Sequence, residues 1–126
     1  MSMKRVLGLA FLAAWSIGRL SPAAGQDAAA GETVFKTQCG VCHAVVPGKK
    51  GIGPNLFGVV GRPAGTVPDF HYTDANKNSG LTWDAATLDR YLQAPREVIP
   101  GTAMPYPGLK DDARRADLIS YLSTLK

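Results

Sequence analysis

Two cysteines and a histidine stand within five residues, Cys39-Gly40-Val41-Cys42-His43, and they are the only cysteines of the chain and one of its two histidines. Such a cluster admits three chemistries: a redox dithiol, part of a zinc site, or the attachment point of a haem. On a helical turn, residues three apart share a face, so both thiols can reach the vinyl groups along one porphyrin edge. His43, next in line, then falls beneath the iron as proximal ligand. Cys-x-x-Cys-His is the spacing for covalent attachment of a c-type haem. A structural zinc needs four sulfur or imidazole donors, and beyond residue 25 the chain offers Cys39, Cys42, His43 and the distant His71. A thioredoxin-like dithiol belongs in a βαβ setting, and no strand pattern precedes Cys39. The motif therefore predicts one covalently attached haem c per chain.

A sixth iron ligand has to come from elsewhere. Met1 and Met3 lie in the leader described below, which leaves Met104, in Ile99-Pro100-Gly101-Thr102-Ala103-Met104-Pro105. A lone methionine is ordinarily core filler. Here the flanking prolines can hold a thioether in place, which favours a ligand. His71, in Phe70-His71-Tyr72, is an isolated loop histidine, better explained by solvation or a backbone hydrogen bond.

The first quarter of the 126-residue chain reads as a secretory leader. Lys4 and Arg5 precede a twelve-residue apolar run, Val6 to Ile17, and Ser21-Pro22-Ala23-Ala24-Gly25 offers small residues for cleavage after Gly25. A transmembrane anchor needs about 18 or more apolar residues, and Arg19 cuts this run short. Residues 1–25 are thus expected to be a cleaved signal peptide, with an uncleaved anchor as the alternative, and residues 26–126 one domain. Removing the leader takes three of the 14 basic residues (Lys4, Arg5, Arg19) and no acid, leaving 11 basic against 10 acidic residues and a net charge of +1. The isoelectric point of 9.3 mostly describes the leader. Without a clustered basic stripe, nucleic acid and anionic membrane surfaces are not indicated as partners.

Three helices can be placed around these residues. Asp27 is an N-cap for a helix from Ala28 to Cys39, in which Gly31, Val34 and Phe35 fall on one face. A second is expected from Trp83 to Ala94, capped by Thr82 and stopped by Pro95, with Leu88, Tyr91 and Leu92 inward. The third, Asp112 to Thr124, carries a stripe of Leu118, Ile119, Leu122 and Leu125. Between His43 and Leu81, and again from Val98 to Gly108, the chain is rich in Gly, Pro, Asn and Thr and lacks strand alternation. Long loops of this kind in a small domain imply that they wrap something other than protein.

With these residues in view, the chain resembles the class I c-type cytochromes, the small bacterial and mitochondrial type, from Gly31 to Leu122. The resemblance rests on Gly31 and Phe35, CGVCH, Gly53-Pro54-Asn55-Leu56, Gly61-Arg62, Tyr72-Thr73-Asp74-Ala75-Asn76-Lys77, Trp83, Pro100-Gly101-Thr102 with Met104, and Arg115 to Leu122. It implies an all-α cytochrome c fold, three main helices and long loops around one haem. It also implies roles: the Pro54 carbonyl orients His43, Arg62, Tyr72 and Trp83 hold a buried propionate, and Asn76, Tyr91 and Thr102 form a polar network on the methionine side. Gly31 and Phe35 are then expected to meet Leu118 and Tyr121. Some positions depart from the pattern. The familiar lysine ring around the haem edge is thin: Lys49, Lys50, Arg96 and Lys110 remain, but Gln38 precedes the first haem cysteine, Ala103 precedes Met104 and Glu97 follows Arg96. Tyr106 stands where the family often has phenylalanine.

The function implied is one-electron transport without catalysis, by a monomeric periplasmic carrier between a quinol-oxidising complex and an oxidase, reductase or photosynthetic reaction centre. A dedicated cytochrome subunit of an exported dehydrogenase is one alternative. A five-coordinate haem enzyme with peroxidase-like activity is another, although no distal His and Arg pair supports it.

Overall fold

Asp27 accepts hydrogen bonds from the amides of Ala29 and Ala30 and starts α1 (Ala28–Gln38). The computed structural model describes residues 26–126, so the expected leader lies outside the described residues. Beyond α1 come α2 (Asp74–Lys77), α3 (Ala85–Gln93), α4 (Pro95–Val98) and α5 (Asp112–Ser123). The described residues contain no strand, only an isolated antiparallel bridge between Pro63 and Thr82. The architecture is all-α, with loops making up the remainder.

The three expected helices are present, with two corrections. α3 begins at Ala85 with Asp84 as its cap, accepting from the Thr87 amide at 2.8 Å, rather than at Trp83 behind Thr82. The reason is non-local: the Trp83 amide donates to the Arg62 carbonyl and the Trp83 carbonyl accepts from Gly61, both at 2.9 Å, which holds Trp83 outside the helix. Pro95 does interrupt α3, but it also opens α4. Its fixed φ suits the first helical position and its missing N–H is no loss there, while Ala94 before it is forced out of the helical region. The other one-turn helix, α2, is opened by Thr73 as its N-cap, whose hydroxyl accepts from the Asn76 amide at 3.3 Å.

Packing concentrates on α1 against α5, the most extensive helix pair in the described residues, with α3 against α4 and α5 secondary. Val34 and Phe35 of α1 join Leu118, Ile119 and Leu122 of α5, Leu88 and Leu92 of α3, and the loop residues Val59 and Leu109 in one buried cluster. Where the two main helices cross, Gly31 lies so close to α5 that a side chain would run into the Asp117 carbonyl. Phe35 and Tyr121 pair beside it, ring centroids 5.6 Å apart. The start of α1 is also tied to α5 by the Asp27 amide, which donates to Asp117 Oδ1 at 2.8 Å. The end of α1, where the cysteines begin, is therefore delivered by a helix fixed at its other end.

One buried charge organises the far side of α5. Arg115, 4% exposed, donates to Asp89 of α3, to Asp112 and to the Leu109 carbonyl, each within 2.9 Å. The loop that ends at Leu109, and which carries Met104, is thereby held between α3 and α5.

Candidate functional site

α1 ends at Gln38 with Cys39 as its cap residue, and the chain then curls through a further turn. The amides of Cys42 and His43 both donate to the Cys39 carbonyl, at 3.1 and 3.0 Å. Both thiols are free and half-buried. Burial, with the neighbouring Cys42 adding to it, pushes the Cys39 thiol up to about 11. Dithiol exchange needs a thiolate near neutral pH, so this environment opposes the redox-pair reading.

His43 Nδ1 lies 2.8 Å from the Pro54 carbonyl oxygen. That bond places the proton on Nδ1 and leaves Nε2 as a free lone pair, the tautomer a metal ligand needs. Burial holds the imidazole below its ordinary pKa, with the Pro54 carbonyl pulling the other way, so the ring is neutral at pH 7. Gly53 packs on the ring: a Cβ there would sit 2.5 Å from Cε1 and 2.8 Å from Nδ1. Gly51 is similarly confined, its absent Cβ falling 2.6 Å from the Cys42 carbonyl oxygen. The Gly53 amide donates to that same carbonyl at 2.8 Å. Asn55 closes the loop, its Nδ2 donating to the Val46 and Lys49 carbonyls at 2.6 and 2.8 Å.

The remaining candidates fall into two groups. Arg62 donates to the Phe57 and Asn55 carbonyls at 3.2 and 3.0 Å, and burial lowers its pKa while the nearby Tyr72 opposes that. The Tyr72 hydroxyl accepts from the Val67 amide at 3.0 Å. Trp83 is half-buried and packs on Tyr91, centroids 4.8 Å apart. On the methionine loop, the Tyr91 and Thr102 hydroxyls bond at 2.9 Å, and Thr102 Oγ1 also accepts from the Met104 amide at 3.4 Å. Asn76 stands apart from that pair, its Oδ1 accepting from Thr73 Oγ1 at 2.9 Å. It meets the loop through its neighbour: a Cβ on Gly101 would lie 3.2 Å from Ala75 Cβ. His71 is exposed, in line with the solvated reading.

The family model for cytochrome c matches residues 28–126. The chain belongs to the cytochrome c family. Cytochrome c2 of Blastochloris viridis is 50% identical over 120 residues, spanning 94% of this chain and 91% of that protein. Cytochrome c2 of Rhodomicrobium vannielii is 49% identical over 121 residues, spanning 95% and 96%. Among solved structures, cytochrome cH from Methylobacterium extorquens matches with a TM-score of 0.73 at 46% identity, over 78% of this chain and 98% of that one. The cytochrome is thus an electron carrier with covalently bound haem c, and not an enzyme.

The residues present fit that cofactor. Two free thiols three apart, an imidazole with Nδ1 already committed, and a glycine that packs on the ring with no side chain to collide with it form a donor set suited to a haem and short of the four donors of a structural zinc. The packing glycines Gly51 and Gly53 were not singled out as site residues by sequence reasoning, although Gly53-Pro54-Asn55 belongs to the motif that carried the resemblance. A second contact escaped it entirely: the Tyr106 hydroxyl donates to Gln38 Oε1, joining the methionine loop of the cytochrome to the end of α1.

Proposed function

We propose that the protein is a soluble periplasmic carrier of single electrons, exported by residues 1–25 and cleaved after Gly25, with His43 and Met104 as the axial ligands of its haem. The observation that carries the reading is the His43–Pro54 hydrogen bond, because it commits Nδ1 and frees Nε2 in a buried, neutral ring. When bound, a haem supplies reversible one-electron exchange at its iron, and His–Met ligation favours a high reduction potential. The chain supplies the rest. Cys39 and Cys42 offer the sulfurs for the two thioether links, and Met104 offers its thioether to the iron. Arg62, Tyr72 and Trp83 are the donors for a propionate, whose charge needs partners at reduced polarity. Asn76, Tyr91 and Thr102 line the methionine side with hydroxyl and amide groups. With His43 and Met104 both given to the iron, no position would be left open for substrate, in keeping with transport instead of catalysis.

Partners follow from this assignment: a quinol-oxidising complex as donor, and an oxidase, reductase or reaction centre as acceptor, met by a monomer. Among the described residues no helix is long and apolar enough to cross a membrane. The thin ring of basic residues leaves room for a second reading, a cytochrome dedicated to one exported dehydrogenase. Ionic strength separates the two, since steered encounter weakens steeply with salt and a fixed subunit does not respond.

The ligand assignment is tested with Met104→Ala. The variant should lose the far-red methionine-to-ferric-iron band, fall in reduction potential and bind carbon monoxide when ferrous. A variant that keeps the parent potential and refuses carbon monoxide overturns the assignment.

A further inference from the structure

Two departures from the family pattern, Gln38 and Tyr106, meet in one hydrogen bond although they are 68 residues apart. Gln38 is the last residue of α1 and directly precedes the first haem cysteine. Tyr106 lies two residues beyond Met104, half-buried, its ring packed against the main core cluster beside Cys39. The loop that carries Met104 is otherwise lightly held. Its first half is anchored by Tyr91 to Thr102 and its end by the Leu109 amide, which donates to the Leu92 carbonyl at 2.8 Å. Between those anchors, among the described residues, the segment from Ala103 to Gly108 has one hydrogen bond to another element, the one from Tyr106 to Gln38. A displacement of the backbone at Met104 therefore strains that bond first, while both outer anchors can stay in place.

We propose that Gln38 and Tyr106 form a latch that positions Met104 and sets how readily the sixth coordination position opens to outside ligands. The proposal rests on the assignment of Met104 as axial ligand. Tyr106 and Gln38 are positioning residues: the hydroxyl and the side-chain amide act through the loop. A hydrogen bond present in the closed form and replaced by water in the open one biases that equilibrium by its net worth. Deleting it should raise the open population about two- to tenfold.

The test uses ferric holoprotein with imidazole as the probe, followed by visible absorption. Tyr106→Phe keeps the ring and removes the hydroxyl, Gln38→Leu keeps the bulk and removes the acceptor, and Gln38→Glu keeps an acceptor as the conservative rescue. Each of the first two should tighten imidazole binding about two- to tenfold, the double variant should do no more than either alone, and Gln38→Glu should match the parent. Hydrogen exchange at the Met104 amide, which among residues 103–108 is the one with an acceptor, should quicken by the same factor with the amides of α1 and α5 unchanged, which a general loss of stability would not produce. Single effects that multiply in the double variant overturn the latch, as does parental behaviour in both singles. Met104→Ala sets the ceiling. If it binds imidazole freely while the latch variants do not, the latch alone fails; if it binds no better than the parent, the ligand assignment fails and takes the latch with it.

Discussion

Gly31 is where the crossing of α1 and α5 can be tested by a change of sign. A Cβ at this position would lie 2.5 Å from the Asp117 carbonyl carbon and 2.9 Å from Tyr121 Cβ, and closer still to the Asp117 carbonyl oxygen. These atoms are backbone or bonded directly to it, so none can rotate aside. Restoring ordinary contact requires the helices to part by about 1 Å, and a gap of that size forfeits roughly a quarter to a half of each dispersion contact across it. Val34, Phe35, Leu118 and Leu122 belong to the core cluster that these helices share. At about 1.5–3 kcal/mol of burial each, losing a quarter costs roughly 1.5–3 kcal/mol. Alanine returns about 1 kcal/mol, because it is the better residue in a helix interior. Gly31→Ala should therefore destabilise by about 0.5–2 kcal/mol. In a domain of this size that lowers Tm by about 2–16 °C. Gly31→Val, bulkier and with less helix propensity to return, should cost roughly 2–3 kcal/mol. The assay is thermal unfolding of the holoprotein followed by far-ultraviolet circular dichroism. Were the crossing looser than described, the propensity gain would stand alone, and an alanine variant that melts above the parent would refute the reasoning.

Other outcomes are expected from single contacts. Gly53→Ala should lower the yield of holoprotein in a pyridine haemochrome assay, because its methyl group collides with the His43 ring; an unchanged yield counts against that contact. Tyr91→Phe, which removes the partner of the Thr102 hydroxyl at 2.9 Å, should cost about 0.5–1.5 kcal/mol in denaturant unfolding. Arg115→Leu should cost roughly 1–3 kcal/mol by the same assay, since its carboxylate partners reach water and the chief loss is an orphaned Leu109 carbonyl. Asp84 gives a pH dependence: hydrogen bonds from the Thr87 amide and hydroxyl hold its carboxyl below the ordinary 3.8. A folded-state value depressed in this way adds stability above the unfolded value and loses it as pH falls through the lower one. The stability advantage of the parent over Asp84→Asn should thus be full at neutral pH and vanish in strong acid, as unfolding titrations would record.

Features encoded by neighbours in the chain could be read from the sequence. The caps and apolar spacing of α1 and α5 need only a few adjacent residues, and Cys-x-x-Cys-His carries its chemistry within five. The one-turn helices were not legible because four residues are too few to show a period, leaving only Thr73 and Pro95 as signals. At the start of α3, Thr82 and Asp84 are both competent caps, and the choice between them is made by the backbone of Gly61 and Arg62, some twenty residues away. The pairing of Gln38 with Tyr106 is more remote still. Each residue was visible as a departure, but nothing local to either says that they touch. The link of His43 to Pro54 was anticipated only through the resemblance to known cytochromes, whereas Gly53 against the ring required coordinates.

The crossing of α1 on α5 also has a bearing on the order in which the chain folds. The helices that share the most contact are separated by the whole middle of the sequence, and closing a loop of roughly 75 residues costs about 4 kcal/mol before any contact is gained. Until α5 arrives, Val34 and Phe35 face water, and the turn after Gln38 hangs from a helix too short to persist alone. In that open chain the Cys39 thiol is spared the burial that pushes it to about 11 once folded. It regains the ordinary cysteine range, where a useful fraction is thiolate. The Cys39 thiol is thus more reactive in the unfolded chain than in the folded one, and covalent chemistry at Cys39 is easiest before the two end helices meet.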